Sequence, residues 1–569
     1  MLKRIAVILL VLLLAPLAVY ATGTQETAGG EPMADGGDGP QYGGTFTYFG
    51  YPQNNDPGSP SISDANHGSL VWLEPIQERP VQGAVEEYGP RGNGEYAFQL
   101  VGYIPPKYQK GHLISDWDIT TERMVWTVRD DVTFQAVEGV MDSRPLTAQD
   151  IADDVQRFVD SPWGNRFEGI LADITVDGNQ VIFEFDEYSP GLFYWIAYED
   201  RAIISPPETT EVDDSKWENQ GGTGAFKFEE YVVGSHVSYV RNPDYWDTTV
   251  IDGTEYEMPF VDRLMKPIIP DTATQVAALR TGAVDWMGVP ASQWNTLERT
   301  APDLERNFYG DMVRTLYFNQ TEPPFDDVRV RRAMMIGTDF EVFRNFGNAE
   351  QFPVHVYPAW PGNPSVYTPI DELPEEAQEL YDYDPDKAMR LLAEAGYPDG
   401  FETTYNFGNS GDNPDFAALL QNEWSKIGVT VNLNPVESAT MQRYQSDLSY
   451  DGILNVDTQI GNATGSVINL LASDGWLNYA GYSNPEVDRL ADQISGELDF
   501  EKQNELIKEA AVIATADVAM LGVYLMPQGD FWWPWVKNYY GEHSIDDGTF
   551  GGLKPYIWID QNLKEEMGF

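Results

Sequence analysis

The chain has 569 residues, no cysteine, and a formal charge of -55 from 35 basic and 90 acidic side chains. Without cysteine there is no disulfide, no thiolate metal site and no lipidated anchor on a cysteine. So large an acidic excess excludes nucleic acid and anionic membrane surfaces as expected partners, and otherwise speaks to solubility rather than to any site.

In chain order, Lys3 and Arg4 precede an apolar run, Ile5 to Leu14, extended past Pro16 to Val19. Val19-Tyr20-Ala21 then places small residues where a signal peptidase reads them, so residues 1–21 are expected to be a secretory signal cleaved after Ala21. The run is short for a span of about 20 residues. Residues 22–41 are rich in Gly, Thr, Glu and Asp and poor in bulky apolar side chains, a composition expected to stay disordered as a tether. The chain from Tyr42 onward is too long for one hydrophobic core, so two or more lobes are expected. With 16 Trp, 31 Tyr and 26 Phe, the chain has rings enough for large cores and a lined cleft.

Tyr42 to Gly50 alternates apolar and polar residues and is predicted to be the first strand. Val125 to Val132 reads as another strand. Leu146 to Val159 is an amphipathic helix, with Thr147 as N-cap and Asp150 three places on. Val176 to Phe185 is a hairpin turning at Asp177-Gly178-Asn179, and Lys227 to Val240 a strand pair joined through Gly234-Ser235. From Asp271 the texture changes. Thr272 to Thr281 is a helix closed by Gly282, followed by a short strand, Val284 to Met287. Helices at Asp386 to Ala395 and Phe416 to Ile427 stop at Gly396 and Gly428; Val429 to Leu433 is a strand, and Phe500 to Ala516 a long amphipathic helix. These helix–glycine–strand units indicate α/β layering.

Catalytic constellations are scarce. The five histidines (His67, His112, His236, His355 and His543) form no metal-ligand spacing. There is no GxSxG elbow. Gly221-Gly222-Thr223-Gly224 lacks the Lys-Ser/Thr of a P-loop. Ninety acids supply close carboxylate pairs by number alone, so a glycosidase pair stays open. No catalytic residue, cofactor or metal site is predicted, and the balance favours a binder over an enzyme.

An ordered set of segments resembles the family 5 extracellular solute-binding proteins, which include dipeptide, oligopeptide, nickel and oligosaccharide receptors of ATP-driven importers. Trp117-Asp118, Arg129 to Phe134 and Pro145 to Asp150 come first. Gly222 to Phe226 and Arg241 to Trp246 are next, then Leu279 to Asp285. Phe318-Asn319 with Pro323 to Ala333 is the most specific piece. Tyr383 to Pro385, Leu391 to Tyr397, Ile427 to Val429, Tyr450-Asp451 and Asn478 to Asp488 complete the series. The Gly, Pro and Asp residues in these segments read as backbone devices: Gly222 and Gly224 for a tight turn at a strand start, Asp326 or Asp327 as a helix cap.

The resemblance implies an α/β, two-lobed periplasmic-binding-protein fold with a ligand cleft between lobes and hinge closure. Lobe one is expected to comprise residues 42–308 plus 522–569, with an inserted subdomain at about 65–205; lobe two is 309–521. The implied function is capture of a short peptide for delivery to ABC permease subunits in the inner membrane, by a monomer held in the periplasm. An oligosaccharide ligand, a chemosensory role and a secreted glycoside hydrolase are the alternatives. In peptide receptors of the family, an acid after the Tyr450-Asp451-like block pairs with the ligand's amino terminus. Asp457 is the candidate here, although the Trp and Asp-Pro that usually accompany it are missing. Trp476, Trp532, Trp533, Trp286 and Tyr48 are candidate ring contacts, the loop Tyr51 to Asp56 leaves the first strand beside them, and Asn319 is a further ligand candidate.

Overall fold

The computed structural model describes residues 39–569 except 50–56, 58–59, 61–70, 100–102, 200, 360, 460–461, 544 and 547–550. The expected signal, most of the expected tether and the loop Tyr51 to Asp56 lie outside the described residues.

The chain is organised by one mixed sheet of 11 strands. In spatial order these are Phe226–Val232, His236–Arg241, Arg263–Pro267, Thr45–Phe49, Trp286–Gly288, Leu521–Trp532, Glu305–Phe318, Ile453–Asn455, Phe401–Gly408 and Val429–Val436; Thr458–Gln459 pairs with Glu305–Phe318 off that path. Parallel pairs flank an antiparallel centre. Thr45–Phe49 runs parallel to both of its neighbours, and Phe401–Gly408 does the same on the far side. Between them the two longest strands, Glu305–Phe318 and Leu521–Trp532, form an antiparallel ribbon. A second, antiparallel sheet of four strands lies between the first and second strands of the large sheet in sequence; Ile114–Ile119 and Arg123–Val128 form one hairpin, Leu171–Asp177 and Gln180–Phe185 the other.

Local sequence accounts for most element ends. Thr147 and Asp150 cap each other's backbone at the start of Ala148–Val159, and seven residues of that helix are buried. Phe500–Ala516 begins where predicted, with Asp499 accepting from Glu501 and Lys502. Asp327 caps Val328–Ile336. Gly282, Gly396 and Gly428 sit at φ 69, 102 and 83°, the left-handed region that ends a helix without a Cβ penalty. The chain bends at residues 223–225 just before the strand Phe226–Val232, and Gly222 and Gly224 serve a second purpose there. A Cβ at either would lie 2.2 or 2.5 Å from the Ile76 carbonyl, so both permit close backbone approach.

The family segments turn out to be joints. Asp285, 1% exposed, accepts from the Thr47 amide, the Trp535 indole and the Lys564 ammonium, tying the first strand to the C-terminal segment. Asn319 donates to the Tyr450 carbonyl at 2.8 Å and accepts from Thr321. Buried Arg331 donates to the carbonyls of Phe325 and Asp517. A buried backbone carbonyl needs a donor, and these side chains supply it where loops leave the ladders.

Candidate functional site

The strand registers locate a crevice. Trp286–Gly288 lies opposite Trp532 to Asp530, so its carboxyl end, like that of the parallel Thr45–Phe49, points toward the middle of the ribbon. From the other side, Leu316 pairs with Asn455 and Phe318 with Ile453, so Ile453–Asn455 and the parallel Phe401–Gly408 point their carboxyl ends at the same stretch. Ligands of open α/β sheets bind outside the carboxyl ends of the strands. Here two sets of ends converge on Tyr309 to Val313 and Leu525 to Gln528. The ribbon is irregular where they converge, with register shifts between Gly310 and Met312 and between Arg314 and Thr315. Such bulges bend a strand and re-aim its side chains.

Beyond the ends of the C-terminal set stands a charged cluster. Arg314, 1% exposed, projects from the ribbon. Its Nη1 donates to Asn413 Oδ1 at 2.9 Å and its Nη2 to Asp412 Oδ1 at 3.0 Å. Its Nε stands 2.9 Å from Asp457 Oδ1, an ion pair without hydrogen-bond alignment. The guanidinium lies 4.9 Å from the Phe416 ring centre and 5.9 Å from that of Tyr524. Asp412 precedes the helix Asn413–Ser425 and Asp457 comes just after the strand Ile453–Asn455, so strand ends deliver both acids. Burial raises the Asp457 carboxyl above its usual range; Arg314 opposes that shift and Asp412 adds to it. For Arg314, burial works against the charge, but Asp457, Tyr524 and Asp412 outweigh it and its pKa is raised. Tyr405, fully buried beside this group, has a hydroxyl without a hydrogen-bond partner among the described residues.

Farther along the ribbon, toward Asn307 and Asp530, the side chains are aromatic with one deep acid. The Tyr309 ring lies 4.4 Å from the His543 ring. Asp530, 1% exposed, accepts from the Tyr539 hydroxyl at 3.2 Å, with His543 Nδ1 at 3.7 Å. Tyr539 in turn meets the Trp532 ring edge-on at 4.7 Å.

The candidates from sequence are thus dispersed. Asp457 stands at the crevice, but on the chain's own Arg314. Trp532 is buried at its edge, with Nε1 donating to Glu305 at 2.8 Å, and Trp286 is its strand neighbour. Trp533 points into the scaffold: its indole donates to the Leu279 carbonyl and stacks on Trp535 at 4.7 Å. Tyr48 is 2% exposed, under the Lys554 ammonium. Asn319 is engaged by Tyr450 and Thr321. Trp476 is 73% exposed in the segment after residues 466–471. Sequence reasoning missed Arg314, Asp412 and Tyr405. The one available signal was an arginine inside the apolar run Met312 to Phe318, a position that demands a buried counter-charge. Among the described residues, no group of three or more His, Cys, Asp or Glu is placed to hold a metal ion, and no helix is long and apolar enough to cross a membrane.

Two sets of strand ends facing across a bent ribbon, with polar groups waiting at the ends, define a two-lobed solute-binding protein. The chain belongs to the family 5 bacterial extracellular solute-binding proteins: the family's middle-region model matches residues 109–513. It is 28% identical over 443 residues to heme-binding protein A of Haemophilus influenzae, covering 70% of this chain and 76% of the relative. It is 27% identical over 448 residues to the periplasmic oligopeptide-binding protein OppA of Salmonella typhimurium, covering 71% and 78%. Among solved structures, HbpA2 from Haemophilus parasuis superposes with a TM-score of 0.73 at 20% identity, covering 91% of this chain and all of that one. DppA from Helicobacter pylori, solved with the peptide STSA, superposes at 0.66 and 18% identity, covering 91% and 99%. These neighbours share the two-lobed fold.

Proposed function

We propose that this protein is the extracytoplasmic receptor of an ABC importer, capturing a short peptide in the crevice and delivering it to the membrane permease. The reading is carried by one observation. The chain aligns over 78% and 82% of the length of two OppA oligopeptide-binding proteins, with 71% and 76% of its own residues. The crevice supports it, since an acid and several rings stand at the converging strand ends, the chemistry that holds an amino terminus and apolar side chains. On this reading lobe one is residues 42–308 with 522–569, lobe two is 309–521, and the ribbon between them is the hinge. The receptor acts as a monomer in the periplasm, bringing ligand rather than chemistry to its permease.

Native mass spectrometry of the purified protein, combined with calorimetric titration, tests this. The expected result is a retained adduct of peptide mass and tripeptide binding at about 1 µM or tighter, some 8 kcal/mol. Retention of a sugar-mass adduct with no peptide heat would overturn it. So would a co-purifying porphyrin absorbance, the ligand class named for the Haemophilus influenzae relative.

A further inference from the structure

The charges around the crevice do not cancel. Arg314 is a single cation between two carboxylates, Asp412 and Asp457, and its third edge is on neutral Asn413. The cluster therefore carries one uncompensated negative charge. Asp457 keeps a second oxygen, Oδ2, that no protein donor takes among the described residues, and the Asp412 side chain is 52% exposed. The group is thus open on its outer side and closed on its inner side. The buried Tyr405 hydroxyl adds an independent sign of an incomplete site. It has no protein partner among the described residues, yet it lies within electrostatic range of Arg314, Asp457 and Asp412. A buried polar group left unpaired is costly, and a ligand atom or a water held by one would remove that cost.

Farther along the ribbon stands another buried acid. Asp530 is almost wholly enclosed, and the only basic side chain within ion-pair distance of it among the described residues is His543, with Nδ1 at 3.7 Å. Rings complete the setting. Phe416 and Tyr524 face the guanidinium, and Tyr309 faces His543, each presenting a π surface that favours cations.

We infer that the crevice selects a ligand with net positive charge: on the peptide reading, on which this rests, a peptide carrying lysine or arginine besides its amino terminus. Arg314 acts as a positioning residue. It holds Asp457 and Asp412 at fixed places on its edges and leaves their outer oxygens to the ligand's ammonium or guanidinium. An acidic side chain entering beside Arg314 would meet two carboxylates and one arginine already engaged.

The test is calorimetric titration of the full chain with Ala-Lys-Ala, Ala-Ala-Ala and Ala-Glu-Ala, and with the polyamine spermidine. The expected order is basic over neutral over acidic peptide, each step about tenfold in Kd at low salt, with the spread shrinking in high salt. Asp412→Asn, at a half-exposed position where folding is safe, should weaken Ala-Lys-Ala about threefold to tenfold and narrow the gap between Ala-Lys-Ala and Ala-Glu-Ala. Equal affinity for the three peptides, or a preference for the acidic one, overturns the cation inference while peptide capture stands. Spermidine binding without peptide binding upholds the cation inference and removes the peptide reading. If none of the four binds, both fall.

Discussion

Arg79 and Arg314 are both nearly inaccessible arginines held by two carboxylates, yet the space around them differs. Arg79 donates to Asp546 at 2.7 Å and to Glu74 at 3.3 Å, and its Nε to the Glu199 carbonyl. Those acids have side chains only 9% and 2% exposed. Two more cations crowd the group: Lys554, with Nζ 3.7 Å from Glu74, and Lys266, whose ammonium lies 3.7 Å from the Trp72 ring centre. Around Arg314 the acids are 52% and 26% exposed, and no further cation pairs with them among the described residues. The same local motif therefore does two jobs. Enclosed and supplied with surplus cations, it fastens the segment after Trp72 to the C-terminal segment. Placed at strand ends and one cation short, it is left for a ligand to complete. Breaking a buried pair strands a charge, whereas altering an exposed member of a pair leaves water to compensate.

The largest effect should come from breaking the enclosed cluster. Arg79→Ala leaves Glu74 and Asp546 short of a partner and is expected to cost about 3–5 kcal/mol, read as a lower urea midpoint with unchanged slope. A loss below about 1 kcal/mol would mean that Lys266 and Lys554 suffice, and the contrast with Arg314 would fail. Trp533→Ala should be nearly as damaging, at about 3–5 kcal/mol. It removes an indole caged by Trp535, Phe569 and the Leu279 carbonyl. Peptide affinity per folded molecule should be unchanged in that variant, because Trp533 points away from the crevice.

Much of this architecture was legible in the sequence. Caps and left-handed glycines mark helix ends through local chemistry, so Thr147, Asp327, Gly396 and Gly428 announced their roles without tertiary information. The strand Thr45–Phe49 and the helix Phe500–Ala516 were visible as periods of two and of 3.6 residues. The candidate site was far less legible, for a physical reason. Arg314, Asp412 and Asp457 are far apart in sequence and meet only because three strands place their ends together; no local pattern encodes that register. Trp533 and Trp532 are adjacent in sequence yet project to opposite faces, as alternation in an extended chain requires. Composition gave rings in plenty and no way to tell a scaffold ring from a crevice ring.

A middle-sized effect concerns Lys266. Burial, and the repulsion of Lys554, push its pKa down to about 7, with Glu74 opposing. The unfolded chain keeps that proton to about pH 10.4. Between those values the unfolded state binds more protons, so stability should rise as pH climbs from 7 toward 10; below 7 the penalty of burying the ammonium is present in full. Lys554 and Glu74 are the charged groups that act on it. Lys554, also pushed down by burial, adds slope of the same sign. Lys266→Met should raise stability at pH 6 by about 1–4 kcal/mol and flatten the rise toward pH 9. Urea titrations at pH 6, 7.5 and 9 would read it. An unaltered slope would assign the pH dependence to Lys554 alone.

The smallest effect is expected at Trp476, and it sharpens the comparison because the residue is an outlier of its class. Its ring is 73% exposed, whereas Trp532, Trp533 and Trp286 are each below 5%. An exposed indole contributes little burial, so Trp476→Ala should change the unfolding free energy by less than about 0.5 kcal/mol. Its effect on ligand affinity then separates two kinds of ring. If the crevice draws its apolar contacts from rings already packed at the strand ends, such as Tyr309 and Tyr524, affinity should stay within about twofold. If affinity falls about tenfold or more while stability holds, Trp476 closes onto bound ligand, and contact is made by a ring that the scaffold leaves free. Titrating the variant with Ala-Lys-Ala, and tracking the shift in tryptophan emission that only the parent protein would then show, distinguishes the two.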